Sequence, residues 1–327
     1  MILAPCQEQE IRRVLGVPGD GELMLDGVAA LHEQQDRSLY FVTGEIPADT
    51  ERSLASRHGC VVIGPAGSAL AGRLGGCRVI ESEDPRAAIA RVLSFIRAEG
   101  RQRPWVTAAS ISPDAILSPL AMIADAVKIG DGSVVDPFCT VGPDVSIGRN
   151  VRIHAGARIY PRTTIGDGSE IGANSVVGHE GYGFVRDSLG NKWRIPHLGG
   201  VIIGSHVDIG ALTVVQSGAI EATTIADYAK IDDNVEVGHG ARVGRNVSIT
   251  GGVVIGGSAV IDDEAWIGIN CSIRNGRRVG HGALLGMDVS VQSDMADDVV
   301  ARAPRPAVSS RRERDPRAIG FAGRKRQ

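Results

Sequence analysis

Aromatic side chains are nearly missing from this sequence of 327 residues: Phe, Tyr and Trp make up 4% of it, while glycine occurs 43 times. That scarcity excludes a core filled by rings and implies aliphatic layers between tight corners. Net charge is also small. A formal value of -3 gives no general affinity for nucleic acid or an anionic membrane surface. No apolar run approaches the roughly 18 residues of a membrane span, and the opening MILAPCQEQEIRR lacks a cationic start followed by an apolar stretch. The five cysteines, Cys6, Cys60, Cys77, Cys139 and Cys271, show no CxxC spacing, so neither a disulfide framework nor a zinc ribbon is indicated. A soluble protein of the reducing cytoplasm is expected.

What the chain does have is rhythm. From Ile111 an aliphatic residue returns at every sixth position through Leu117, Ile123, Ile129, Val135, Val141, Ile147, Ile153, Ile159, Ile165, Ile171 and Val177. The same spacing runs from Ile225 through Ile231, Val237, Val243, Ile249, Ile255, Ile261, Ile267, Ile273, Val279 and Leu285 to Val291. A helix would space them by three and four, and a two-faced strand by two. Six is the period of a hexapeptide β-solenoid, in which one aliphatic side chain per short strand points into a triangular prism. Three hexads close one turn, so residues eighteen apart lie above one another.

The rhythm pauses over 179–200 and over 218–224, then resumes in register at Ile203 and at Ile225. Insertions of this kind project from a corner and gather on a functional face. The first collects Tyr182, Phe184 and Trp193. It reads either as a binding wall, with Tyr182 and Phe184 as substrate contacts, or as a plain hairpin.

Residues 1–105 lack the period and read as a mixed α/β domain. Short buried strands are predicted at Ser38–Val42 and Cys60–Ile63, a helix over Pro47–His58, and a second helix opened by Asp84 as N-cap with Pro85 at its first position. The solenoid occupies 106–300. The tail, 301–327, holds Arg302, Arg305, Arg311, Arg312, Arg314, Arg317, Arg324, Lys325 and Arg326 against Glu313 and Asp315. It reads as an end cap, a docking segment for an acidic protein, or a solvated end.

One histidine is well placed for chemistry. His239 follows the inward Val237 by two residues, between Gly238 and Gly240, where its ring projects from the coil. Gly257 and Asn275 lie eighteen and thirty-six residues on, in the same column. Glycine is a routine corner residue in such repeats, but here it would also let a carbonyl approach the backbone and its N–H. His154, His206 and His281 have other offsets and read as surface or corner residues. His179 and His197 border the first insertion and read either as substrate contacts or, as loop histidines more often are, as solvated, and His32 and His58 have no partner motif.

Three stretches carry a closer likeness: Gly178–Phe184 leading to Trp193 and Ile195–Pro196, Ile231–His239 with its Asp232–Asp233 pair, and Gly251–Val253. With the domain order, they make the chain resemble the trimeric, left-handed β-helix acyltransferases, and within them the UDP-3-O-acylglucosamine N-acyltransferases of lipid A synthesis. The resemblance implies a left-handed parallel β-helix, three chains packed side by side as a homotrimer, and active sites in the clefts between them. It puts Phe41 where that family has a uracil-stacking aromatic. It also places an aspartate at Asp232, which either holds the tautomer of His239 or merely accepts turn N–H bonds. Three departures stand out. Gln216–Ala219 replaces Asp-Arg-Gly-Ala, leaving Gln216 on the substrate wall. A second family histidine is absent, the local sequence being Arg274–Arg277. The asparagine that follows the stacking aromatic is missing from Val42–Gly44.

Moving an acyl group from a thioester to an amine requires a base, donors for the tetrahedral oxyanion and a dry groove. His239 suits the first role, with an ordinary imidazole pKa near ~6.5; Gly257 suits the second through its N–H, and Asn275 offers a polar contact. The expected activity is transfer of a fatty or 3-hydroxy fatty acyl group from acyl carrier protein to the amine of a nucleotide-linked amino sugar. It uses no metal and no cofactor beyond the acyl-carrier or coenzyme A thioester. Other readings are a coenzyme A-dependent short-chain acyltransferase, a γ-carbonic-anhydrase-like metal lyase, which needs three converging histidines, and an inactive scaffold.

Overall fold

A computed structural model describes residues 2–19, 21–100, 110–187 and 189–304. Most of the tail expected to dock an acyl carrier, from residue 305 on, lies outside the described residues.

The first unit is a five-stranded sheet in the order β1-β2-β3-β4-β5. Along the chain run β1 (Ile2–Gln7), α1 (Glu8–Leu15), β2 (Met24–Val28), β3 (Ser38–Phe41), α2 (Ala48–Ala55), β4 (Cys60–Pro65), α3 (Leu70–Arg73), β5 (Cys77–Ser82) and α4 (Pro85–Gly100). Only the β1–β2 pair is antiparallel. Alternate residues of β3 and β4 feed two cores. Leu39, Phe41, Val61 and Ile63 pack with Ile11, Val92, Leu93 and Ile96, whereas Tyr40, Val62 and Cys60 pack with Leu54, Leu70 and Leu74. Burial on both faces explains the unbroken apolar runs of the sequence. It also corrects the expectation for Phe41. That ring is 7% exposed within the first core, so it packs the domain and offers no platform for a base. The N-cap of α4 is as read, with the Ala87 N–H donating to Asp84 Oδ1 at 3.0 Å.

The second unit is a parallel β-solenoid of three sheets with ten, nine and nine strands, most of them two residues long. Strands eighteen residues apart pair in register, as in Val237 with Ile255 and Ile255 with Ile273. The aliphatic positions read from the period form one continuous core from Ala124 to Val291. Corners require a left-handed backbone at a fixed point of each hexad, shown by Asn150 (φ 53°), Gly156 (φ 74°), Gly168 (φ 67°) and Asn174 (φ 58°). Glycine and asparagine adopt it at least cost, and other glycines, such as Gly172 and Gly210, stand where a Cβ would meet the backbone of the next turn.

The first insertion is an antiparallel hairpin, Phe184–Arg186 against Lys192–Arg194. The insertions also hold the two units together. Leu198 is part of the Phe41 core, with Ile195 and Ile220 packed against it, and Arg97 of α4 pairs with Glu180 at 3.0 Å. Among the described residues no helix is long and apolar enough to cross a membrane.

Candidate active site

The register places Gly238–His239, Gly256–Gly257 and Arg274–Asn275 at one corner of successive turns, as the eighteen-residue rule predicts. The imidazole of His239 lies directly on Gly257. A Cβ built there would stand 2.5 Å from Nε2 and 2.7 Å from Cε1, so any side chain at this position must displace the ring. From the other flank comes Gly181 of the insertion, whose Cβ would meet the His239 Cβ at 2.7 Å and Cδ2 at 3.0 Å. The ring is half-buried, and this burial holds its pKa below the ordinary value. Neither ring nitrogen hydrogen-bonds a described residue.

The backbone around the imidazole is fixed. The His239 N–H donates to Gln216 Oε1 at 3.2 Å, while Gln216 Nε2 donates to Glu236 Oε1 at 2.7 Å. Gln216, expected on a substrate wall, therefore has both ends of its amide engaged in seating the base. One turn on, the Gly257 N–H presents a contrast. At some equivalent corners a carboxylate takes up this amide: Asp167 accepts from Arg149 at 2.7 Å, Asp233 from Ala211 at 2.6 Å and Asp263 from Arg245 at 2.8 Å, whereas the amides of Ala173, Gly251 and Ile269 donate to no described residue. The Gly257 N–H donates to no described residue. Asn275 occupies the carboxylate's place in the turn above and is exposed.

Asp232 is not brought to His239. It is exposed and directly follows Ile231, a strand residue of the ten-stranded sheet, whereas His239 follows Val237 of a nine-stranded one. A hexad is one third of a turn, so the two side chains stand on different edges of the prism, and Asp232 cannot hold this imidazole within the chain. Tyr182 and Phe184 do form an aromatic pair, with ring centroids 4.9 Å apart, and Arg194 lies over Phe184 at 4.9 Å. Tyr182 is 77% exposed, which suits a wall residue better than a hairpin core.

His197, read from the sequence as a substrate contact or a solvated loop residue, is not solvated: it is 3% exposed and has its ring centroid 4.7 Å from that of His239, at an interplanar angle of 64°. Burial is the main cause that pushes its pKa down to about 4; the neighbouring His239 adds to the effect, and Glu180 and the Ile195 carbonyl oppose it. Its Nδ1 is buried without a hydrogen-bond partner. The signal available in the sequence was that His197 closes an insertion which must return to the corner it left. Among the described residues no group of three His, Cys, Asp or Glu side chains is arranged to hold a metal ion.

Residues 144–179 match the family described as bacterial transferase hexapeptide, six repeats. Over 66 residues the chain is 46% identical to UDP-3-O-acylglucosamine N-acyltransferase 2 of Legionella pneumophila (strain Lens), a match covering 20% of this chain and 19% of that protein. Over 63 residues it is 41% identical to UDP-3-O-acylglucosamine N-acyltransferase of Campylobacter concisus, covering 19% of this chain and 20% of that one. The match thus spans about one fifth of the length of these relatives. A solved UDP-N-acetylglucosamine acyltransferase from Campylobacter jejuni aligns with 64% of this chain and 80% of its own, at 26% identity and a TM-score of 0.49. The resemblance to hexapeptide-repeat acyltransferases drawn from the repeat is met by the family match and by the names of these relatives.

Proposed function

We propose that the protein is an N-acyltransferase that moves a fatty acyl group from a carrier thioester to the amine of a nucleotide-linked amino sugar. The observation that carries this reading is the stacking of His239 on Gly257, which puts a neutral imidazole beside an unengaged backbone N–H. In the reaction the amine nitrogen attacks the thioester carbonyl as the His239 imidazole takes the amine proton. The Gly257 N–H stabilises the oxyanion, and Asn275 stands one turn on as a polar contact. Collapse of the tetrahedral intermediate breaks the carbon–sulfur bond, and the imidazolium returns its proton to the leaving thiolate. Amide and thiol result, and the base is regenerated.

Tyr182 and Phe184 flank the acceptor on the insertion side, and the α/β unit supports that wall through Arg97 and Glu180. Acyl carrier protein is the donor we favour, because the basic tail complements an acidic carrier. A homotrimer completes the cleft into which His239 opens. The relatives' names support the acceptor class, over one fifth of their length.

The test is mass spectrometry of products from a panel of nucleotide-linked amino sugars incubated with acyl-carrier and coenzyme A thioesters. Amide formation on a nucleotide sugar with the carrier thioester is expected. Products formed only from coenzyme A would move the donor assignment, and no amide product from any pair would overturn the reading.

A further inference from the structure

We propose that His197 is a positioning residue for His239: its buried, neutral ring sets the base edge-on and stabilises the positive charge that His239 acquires in the reaction. This rests on the reading of His239 as the base. The usual device for that role, a carboxylate on the imidazole, is missing, since Asp232 stands on another edge and no described residue hydrogen-bonds either ring nitrogen of His239. The ring is held by packing alone, between Gly181, Gly257 and His197.

His197 is itself rigidly placed. Its carbonyl accepts from Ser217 Oγ at 3.4 Å, the next two residues donate to the second insertion at 3.0 Å and 2.8 Å through the Leu198 and Gly199 N–H groups, and Leu198 is locked in the α/β core. A buried nitrogen without a partner is costly, and an apolar residue would avoid that cost. Its presence is accounted for if the neighbour becomes cationic during turnover, because a neutral imidazole offers a lone pair and an electron-rich face to an imidazolium edge.

The charged groups around the pair are otherwise committed. Glu180 is paired with Arg97 at 3.0 Å, and Glu236 accepts from Gln216 at 2.7 Å. Arg194, over Phe184, is cationic and opposes a second positive charge nearby. The weakly basic His197, with its pKa near 4, stays neutral across the working pH range.

The experiment compares His197→Leu, which keeps volume and removes the nitrogens, with His197→Gln, which restores a hydrogen-bonding group. Two readouts are taken on the full chain: the titration of the His239 Cε1–H by NMR, and kcat and KM across pH. In His197→Leu we expect the His239 titration to move to lower pH and kcat to fall at least about 10-fold with KM within about two-fold. His197→Gln is expected to recover to within about three-fold of the wild type. Unchanged titration and unchanged kcat in a folded His197→Leu protein would reduce His197 to packing and overturn the proposal. If the wild type acylates nothing, the transferase reading fails on its own, and the NMR titration still decides whether His197 senses the charge on His239.

Discussion

Replacing Gly257 by Ala tests the site through a single methyl group. Gly257 does not use a left-handed φ, so the backbone accepts alanine without strain. The new Cβ would lie 2.5 Å from His239 Nε2, whereas ordinary contact begins near 3.4 Å, so the ring must retreat by the difference of about 0.9 Å. Its retreat is obstructed. Gly181 closes the opposite flank and His197 stands against the edge. A displacement of about 1 Å in a reacting group is enough to cost roughly 100-fold in rate, while overpacking of this kind costs about 1–3 kcal/mol of stability. We therefore expect Gly257→Ala to fold, with a modestly lowered melting temperature, and to lose about two orders of magnitude in kcat. The assay is steady-state transfer with the donor and acceptor identified by the product panel, repeated in a His239→Ala background. There the methyl should cost little further, because the group it displaces is gone. A Gly257→Ala enzyme within about three-fold of wild type, or one losing the same factor with and without His239, would refute the placement of the imidazole on this glycine.

Three other outcomes follow from the same geometry. Asp232→Asn should leave kcat/KM within about three-fold of wild type, since the carboxylate stands on a different edge; a 100-fold loss would require contact with an active site across a subunit boundary. The base acts in its neutral form and its pKa lies below the ordinary 6.5, so kcat/KM should hold down to about pH 6.5 and fall only on further acidification, a limb that His239→Gln abolishes with the activity. His197 adds a stability term with a definite sign. Its folded pKa of about 4 lies below the 6.5 of an unfolded histidine, so the folded state resists protonation, and stability is full above pH 6.5 and lost as pH falls toward 4. The size is on the order of 3 kcal/mol. Urea unfolding at pH 7 and pH 4 should show the wild type losing more than His197→Leu by about that amount, and equal losses would mean that the ring is not buried as described.

The solenoid was legible because its period leaves no alternative. An aliphatic residue repeated every six positions has no solution as a helix or a simple strand, and the register then followed from counting. The α/β unit was legible at the level of elements, because Leu39–Val42 and Cys60–Ile63 are apolar runs too short to be helices. The role of Phe41 was not. The four-residue strand Ser38–Phe41 is buried on both faces, and Leu39 and Phe41 share the side covered by α1 and α4. Which of its rings, if any, reaches the surface depends on the helices that cover it, and strand composition alone does not carry that information.

The two surprises at the site have opposite origins. The distance between Asp232 and His239 was contained in the eighteen-residue rule: seven residues is about one third of a turn, which changes the edge, and only the family likeness drew the aspartate toward the base. His197 was hidden, because the insertion beginning at residue 179 erases register between it and His239, and no count of residues crosses such a loop. What recovers it is topology. Val177 pairs with Val215, and Val215 with Val237, so the insertion leaves the strand stacked two turns from His239 in the same sheet. Both ends of a loop that re-enters in register must sit near the corner it departed, and Leu198, three residues before the re-entry at Val201, is anchored in the other unit's core. The histidine preceding that anchor is thereby directed at the column that carries the base. Polar residues at the closing end of a corner insertion therefore belong among the candidates for a solenoid's site, alongside those found by counting along the repeat.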